Sequence, residues 1–310
     1  MPELREIVSG LQFPEGPIAM DDGSVVLVEI KRGTLSRVDV EKGTVDVVAE
    51  CGGGPNGAAI GPDGAVYICN NGGCFEWQEV MGLTFPGPPP ASYPGHGSIQ
   101  RVELGTGEVT TLYEECDGNP LRAPNDIVFD TAGGMWFTDH GVREHRSSDR
   151  TGIYYAQSDG SAITEAIFPV DAPNGIGLSP AGDRLYVAET HTGRCWAWDV
   201  PSPGVAQGPN PLGPGGAELL VGLPGYQLFD SLGVDGDGWV CIATLVAGGI
   251  TCVSPDGATV EFVGPTNDPL TTNVCFGGDD LRTAYITSSG TGRLLATEWP
   301  RPGLQLAYHA

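Results

Sequence analysis

One pattern recurs six times along this chain and limits what it can fold into. "FPEGPIAMDDGSVVLVEI" places Glu15 ahead of an apolar stretch, a turn and a second apolar stretch. The arrangement returns in "PNGAAIGPDGAVYICNN" at Asn56, "PNDIVFDTAGGMWFTDH" at Asn125, "PNGIGLSPAGDRLYVAET" at Asn174, "FDSLGVDGDGWVCIAT" at Asp230 and "TNVCFGGDDLRTAYITSS" at Asn273. These starts lie 41, 69, 49, 56 and 43 residues apart. Such spacing suits four-stranded blades joined by loops of unequal length. A lone blade cannot bury both faces and exposes its edges, whereas six packed radially give each blade two neighbours. The expected fold is therefore all-β: a six-bladed β-propeller of four-stranded antiparallel blades around a central channel, with residues 1–310 as one domain. "LREIVSG" precedes the first repeat and is expected to supply the outer strand of the blade that starts near Asn273, tying the two ends of the chain together.

Composition agrees with this reading. The 48 glycines and 26 prolines fit many tight turns, and no stretch carries a long helical periodicity. Trp136, Trp196 and Trp239 fall in alternating apolar strands and are expected between blades. A formal charge of −24 gives the wrong long-range field for nucleic acid or an anionic membrane, so neither is expected as a partner. There is no run of about 18 apolar residues and no basic start leading into an apolar segment, which makes the cytoplasm the expected compartment. The eight cysteines form no CxxC pair and several sit inside strands. Buried free thiols are expected, with a Cys51–Cys74 disulfide left open.

The first polar residue of each repeat should occupy an equivalent place, at the start of an inner strand facing the channel. Glu15, Asn56, Asn125, Asn174, Asp230 and Asn273 would then form one ring of carboxylate and amide oxygens. Such oxygens suit a hard divalent cation, whose charge would also offset the repulsion between the two carboxylates. The competing reading is that each asparagine only caps a turn. Other chemistry finds little support. No HExxH is present, and Ser231 does not lie in GxSxG. "CGGGPNG" matches no phosphate loop. His140 is expected either as a proton shuttle facing the channel or as an exposed loop residue.

In order and in phase, "PEGP", "RAPNDIVFD", "PNGIGLSPAGDRLYVAET", "FDSLGVDGDGWV" and "CFGGDDLRTAYITSS" resemble the gluconolactonase and senescence-marker-protein family, which includes luciferin-regenerating-enzyme-like proteins, over residues 10–300. The resemblance implies a metal-dependent lactonase, with the cation held by Glu15, Asn174 and Asp230. Asn125 would complete the metal shell or bind substrate. It implies one divalent cation, calcium first, with zinc, manganese or magnesium as alternatives. Asp230 would position or deprotonate water, or serve chiefly as a ligand. Asn56, Arg122, Asn125 and Asp139 would contact substrate, although Ala123 and Pro124 separate Arg122 from Asn125 where some members have one residue. The expected substrate is a small-molecule lactone, an aldonolactone by default. A more apolar alkyl or aromatic lactone, a phosphotriesterase-like activity resembling diisopropyl fluorophosphatase, and a noncatalytic binding propeller are the alternatives. A monomer or homodimer is expected. Residues 72–98, with Phe75, Trp77, Met81, Phe85 and Tyr93, are expected to form a lid, a subunit contact or a loop packed on its own blade.

Overall fold

Alternating apolar strands separated by Gly and Asp turns can bury themselves only by pairing into sheets and stacking those sheets face to face. The computed structural model, which describes residues 3–309, does this with six antiparallel sheets in a ring. The inner strands are Pro14–Ala19, Pro55–Ile60, Pro124–Phe129, Pro173–Leu178, Leu228–Val234 and Thr271–Gly277, and they define blades 1 to 6 in chain order. Blade 6 takes its outermost strand from the other end of the chain. Arg5–Ser9 pairs antiparallel with Arg293–Glu298, Arg5 standing opposite Ala296, so the ring closes as the repeat phase predicts.

The core follows from radial packing. Six clusters of buried side chains each fill the space between one pair of neighbouring blades. Trp136 and Trp198 are buried between blades 3 and 4 with Trp196 packed against them, and Trp239 joins the cluster between blades 5 and 6. All eight cysteines are free thiols, Cys51 and Cys74 included, and all but the half-buried Cys275 are buried. Among the described residues no helix is long and apolar enough to cross a membrane.

Blade 4 departs from the four-strand expectation. Val205–Gln207 and Glu218–Gly222 both pair with the long strand Arg194–Ser202, giving a five-stranded sheet. A nine-residue strand offers edge enough for two short partners in succession.

The two ends of the channel differ. At the upper end, where the inner strands begin, a polar residue closing the second strand accepts backbone N–H groups from the segment that leads into the inner strand. Glu29 takes Gln12 N at 2.7 Å, Asn70 takes Gly54 N at 2.9 Å, Asp139 takes Arg122 N at 2.6 Å, and Glu189 takes Asp171 N at 3.2 Å. The small polar or acidic endings of the repeats are thus clamps on the strand starts. At the lower end the C-terminal segment crosses the ring. Gly236 N donates to Pro302 O at 2.7 Å on blade 5, while the Tyr308 ring lies 5.9 Å from Phe129 of blade 3 and packs against the core between blades 1 and 2. Arg301 secures this segment, bonding Asp235 at 2.5 Å and lying 4.1 Å above the Trp239 ring.

A chain shortened to begin at Gly10 loses the closing strand and exposes a sheet edge. Thermal unfolding should show a Tm lower by about 5–8 °C, the shift that a loss of roughly 3–5 kcal/mol gives in a protein of this size. Size-exclusion chromatography should show association that the full chain lacks. An unchanged Tm would mean that the closing strand contributes little.

Candidate active site

Each inner strand loses register with its neighbour at its polar residue. In blade 1 the partners run from Glu15↔Val28 to Ile18↔Val26, and a shift falls at the corresponding place in the other five blades. A bulge of this kind bends the strand and re-aims a side chain that strict alternation would send into the inter-blade core. Phe13 and Ala172, each two residues ahead of the polar residue, hold left-handed backbone conformations with φ of 57° and 46°. Such conformations are costly for residues with a side chain and mark a locally determined geometry. The glycine that follows has a steric cause. A Cβ on Gly57 would lie 2.5 Å from Asn125 O, and one on Gly175 would lie 2.5 Å from Leu232 N. Asn-Gly here is therefore not a turn cap. It is a bulged strand residue followed by the close approach of the next blade.

The structure brings the expected ring together at the upper end of the channel. Glu15, Asn56, Asn125, Asn174 and Asn273 are buried, with 2–6% of their surface exposed, and Asp230 is half-buried. Asn174 Nδ2 donates to Asp230 Oδ1 at 2.7 Å and to Thr190 Oγ1 at 3.1 Å, and Asn273 Nδ2 donates to Glu15 Oε2 at 2.7 Å. Asn174 Oδ1 receives only a long contact from Ser231 Oγ, at 3.4 Å. Asn125 Oδ1 is buried with no hydrogen-bond partner among the described residues.

A third carboxylate belongs to this group, and the sequence reading missed it. Asp126 is 6% exposed, accepts Ile127 N at 2.9 Å and reaches across to blade 4 to accept Ile176 N at 3.3 Å. Where blades 1, 2 and 4 carry Gly16, Gly57 and Gly175 after the polar residue, blade 3 carries Asp126. That break in the repeat was the available signal. Burial pushes Glu15 up to about 7 and Asp126 up to about 8, the latter aided by repulsion from Glu15. Burial likewise raises Asp230 well above the usual carboxylate range, with Glu15 and Asp126 adding to the effect.

These atoms fit a divalent cation in character. The desolvated acids disfavour carrying their charge unaided, and an unpartnered amide oxygen stands at the same ring. Among the described residues no three His, Cys, Asp or Glu side chains form a metal-binding group by themselves. A cation here would need the amide oxygens of Asn125 and Asn174 alongside the carboxylates of Glu15 and Asp230.

Two expected substrate contacts serve the surrounding frame. Asp139 is fully enclosed, and its carboxylate accepts the N–H groups of Arg122, Ala123 and Gly141 at 2.6, 2.7 and 3.0 Å. It therefore fixes the segment leading to Asn125. Arg122 bonds Asp149 at 2.8 Å and the Gly95 carbonyl, which ties blade 3 to the long insertion of blade 2. His140 donates from Nδ1 to Gly141 O at 3.1 Å, and its ring lies 5.5 Å from that of His191. Burial holds both imidazoles below the ordinary value, so they are neutral at pH 7.

With the geometry in view, residues 13–290 match the sequence pattern described as the SMP-30/Gluconolactonase/LRE-like region. A gluconolactonase of Zymomonas mobilis is 24% identical over 92% of this chain and 79% of its own. Lactonase drp35 of Staphylococcus haemolyticus is 27% identical over 76% of this chain, a match that spans 64% of that protein. Among solved structures, a calcium-binding protein, regucalcin, from Agrobacterium tumefaciens has a TM-score of 0.71 at 17% identity, covering 98% of both chains.

Four carboxylates of raised proton affinity, Glu15, Asp126, Asp139 and Asp230, outnumber the two lowered imidazoles, His140 and His191, and set the sign of the pH response. Their proton affinity is higher in the folded protein than the ordinary values of 4.5 for Glu15 and 3.8 for Asp126. Between about pH 4 and pH 8 the folded state therefore binds more protons than the unfolded state, and stability falls as pH rises. With divalent ions chelated, Tm should fall from pH 5 to pH 8, and Asp126→Asn should flatten that slope. A Tm that rises over the interval in both proteins would show that these acids do not govern it.

Proposed function

This chain belongs to the SMP-30/gluconolactonase/LRE-like family, and from that premise we propose that it is a divalent-cation-dependent lactonase. The observation that carries the reading is the group of mutually repelling carboxylates of buried Glu15 and Asp126 and half-buried Asp230 beside the unpartnered Oδ1 of Asn125. Glu15, Asn174 and Asp230 would hold the cation, with Asn125 as a further oxygen donor. Calcium is favoured because every donor is a hard oxygen. When bound, the cation would polarise the lactone carbonyl and stabilise the negative charge that develops on its oxygen.

The remaining chemistry falls to the chain. Water adds to the carbonyl carbon, the ring C–O bond breaks, and the leaving alkoxide takes a proton to give the hydroxy acid. Asp230, oriented by the Asn174 amide at 2.7 Å, positions the water and accepts its proton. Asn125 orients the substrate from blade 3, two blades away from Asp230. Asn56, buried on the same ring, lines the space between Glu15 and Asn125. Asp139 and Arg122 hold the Asn125 segment in place through the backbone and the insertion. The product leaves as an anion, which a protein of formal charge −24 repels. That charge argues against nucleic-acid and membrane partners, and eight free thiols suit a cytoplasmic setting.

Hydrolysis of a lactone panel should stop when the protein is stripped with a chelator and return on addition of one of calcium, zinc, manganese or magnesium. Asp230→Asn should lower kcat/KM by about 100-fold or more, in the range of a lost general base. Glu15→Gln should raise the cation concentration for half-maximal rate by about tenfold, the cost of roughly 1.4 kcal/mol of binding. Wild-type rates and cation affinity in both variants, or full activity after stripping, would refute the reading.

A further inference from the structure

The insertion of blade 2 is neither a loose loop nor one packed on its own blade. It leaves the end of strand Val66–Asn70 and returns at Ser98–Val102, and between them a hairpin forms from Trp77–Val80 and Leu83–Pro86. The hairpin is fastened to other blades. Lys31 of blade 1 bonds Glu79 at 2.6 Å, and Thr84 N donates to Gly290 O of blade 6 at 2.8 Å. The returning segment is fastened to blade 3, where Tyr93 donates to Arg122 O and Arg122 donates to Gly95 O. In a ring of six, blades 3 and 6 are opposite. The insertion therefore reaches across the upper end from blade 6 through blades 1 and 2 to blade 3, and these fastenings leave blades 4 and 5 clear.

The insertion carries a row of apolar groups. The Trp77 ring lies 4.9 Å from Phe13, and Phe75 lies 5.9 Å from Trp77. Phe75 in turn packs on the cluster of Cys74, Ala123 and Val142. Phe13 stands two residues before Glu15, and Ala123 two residues before Asn125. The row thus runs from blade 1 to blade 3 one step above the polar ring, following the arc that contains Glu15, Asn56 and Asn125. Phe75 and Trp77 are only half-buried, which leaves apolar ring surface uncovered on the row that adjoins the segments leading to Glu15 and Asn125.

We propose that Phe75 and Trp77 form a specificity wall and that the site takes lactones bearing an alkyl or aryl substituent, an inference that rests on the lactonase reading. An apolar substituent covers the exposed ring surface when the lactone carbonyl lies at the polar ring. The hydroxyls of an aldonolactone would face aromatic carbon there and lose their hydrogen bonds to water without replacement. The proposal takes the more apolar alternative in preference to the aldonolactone default.

The test compares a δ-lactone carrying a pentyl chain with an aldonolactone, in wild type, Phe75→Ala/Trp77→Ala and Trp77→Phe. The wild-type ratio of kcat/KM should favour the pentyl lactone at least tenfold. The double variant should lower that ratio at least tenfold, and Trp77→Phe should retain most of it. Calorimetry with cyclopentanone and its 2-pentyl derivative, which cannot be hydrolysed, gives a readout free of turnover. The pentyl ketone should bind at least tenfold tighter in wild type, and the double variant should lose that margin. Trp77→Ala alone replaces the double variant if the latter does not fold. A wild-type preference for the aldonolactone, no difference between the two ketones, or a margin that survives the substitutions would overturn the wall. Ketone selectivity that depends on the wall, with no lactone opened, would overturn the lactonase reading and uphold the wall.

Discussion

The site depends on one backbone event repeated around a ring: a register break at the first polar residue of every inner strand. Without it, alternation would send Glu15 or Asn174 into an inter-blade cluster of aliphatic and aromatic side chains, where an unpaired polar group is costly. With it, six chain segments far apart in sequence converge at the upper end of one channel. The glycines after the polar residues and the clamps from Glu29, Asn70, Asp139 and Glu189 are consequences of the same event. The bulges bring neighbouring strands within 2.8 Å of where a Cβ would stand, and their starting segments need hydrogen-bond acceptors.

Convergence carries an electrostatic penalty. Glu15, Asp126 and Asp230 each lose hydration on burial, and each ionised member opposes ionisation of the others. Amide donors offset this in part, through Asn273 to Glu15 and Asn174 to Asp230. A structure selected for stability alone would place apolar groups here. The retained acids, with two strained residues at Phe13 and Ala172 immediately upstream, belong to a region shaped by binding and chemistry at the expense of stability.

What the sequence revealed, and what it hid, follows from the range of the interactions. Strand order, ring closure by residues 5–9 and the six ring residues were legible because each is written in a local pattern whose phase repeats. The fifth strand of blade 4 was not, since Val205–Gln207 carries no signal beyond a few residues beside a turn. Asp126 is hidden because it directly follows the ring residue Asn125, although it stands where three other blades need glycine. Asp139 was expected in the substrate space because it ends a strand. Its partners are backbone N–H groups of a segment 16 and 17 residues earlier, and side-chain types do not report such contacts.

The two closures of the channel give the polar ring its direction. The C-terminal segment crosses the lower end from blade 5 to blades 2 and 3, while the blade 2 insertion reaches across the upper end from blade 6 to blade 3. On the proposed reading, a lactone enters from above blades 4 and 5, past Tyr226 and Val246, which are 73% and 48% exposed on blade 5. It meets Asp230 and Asn174 on the near side, and Glu15, Asn56 and Asn125 beneath the aromatic row on the far side. On that reading, the carbonyl end of the lactone meets the oxygen donors of the ring, and its substituent meets the aromatic row above them. Orientation is thus set by layers stacked along the channel axis: carboxylates and amides below, aromatic rings above.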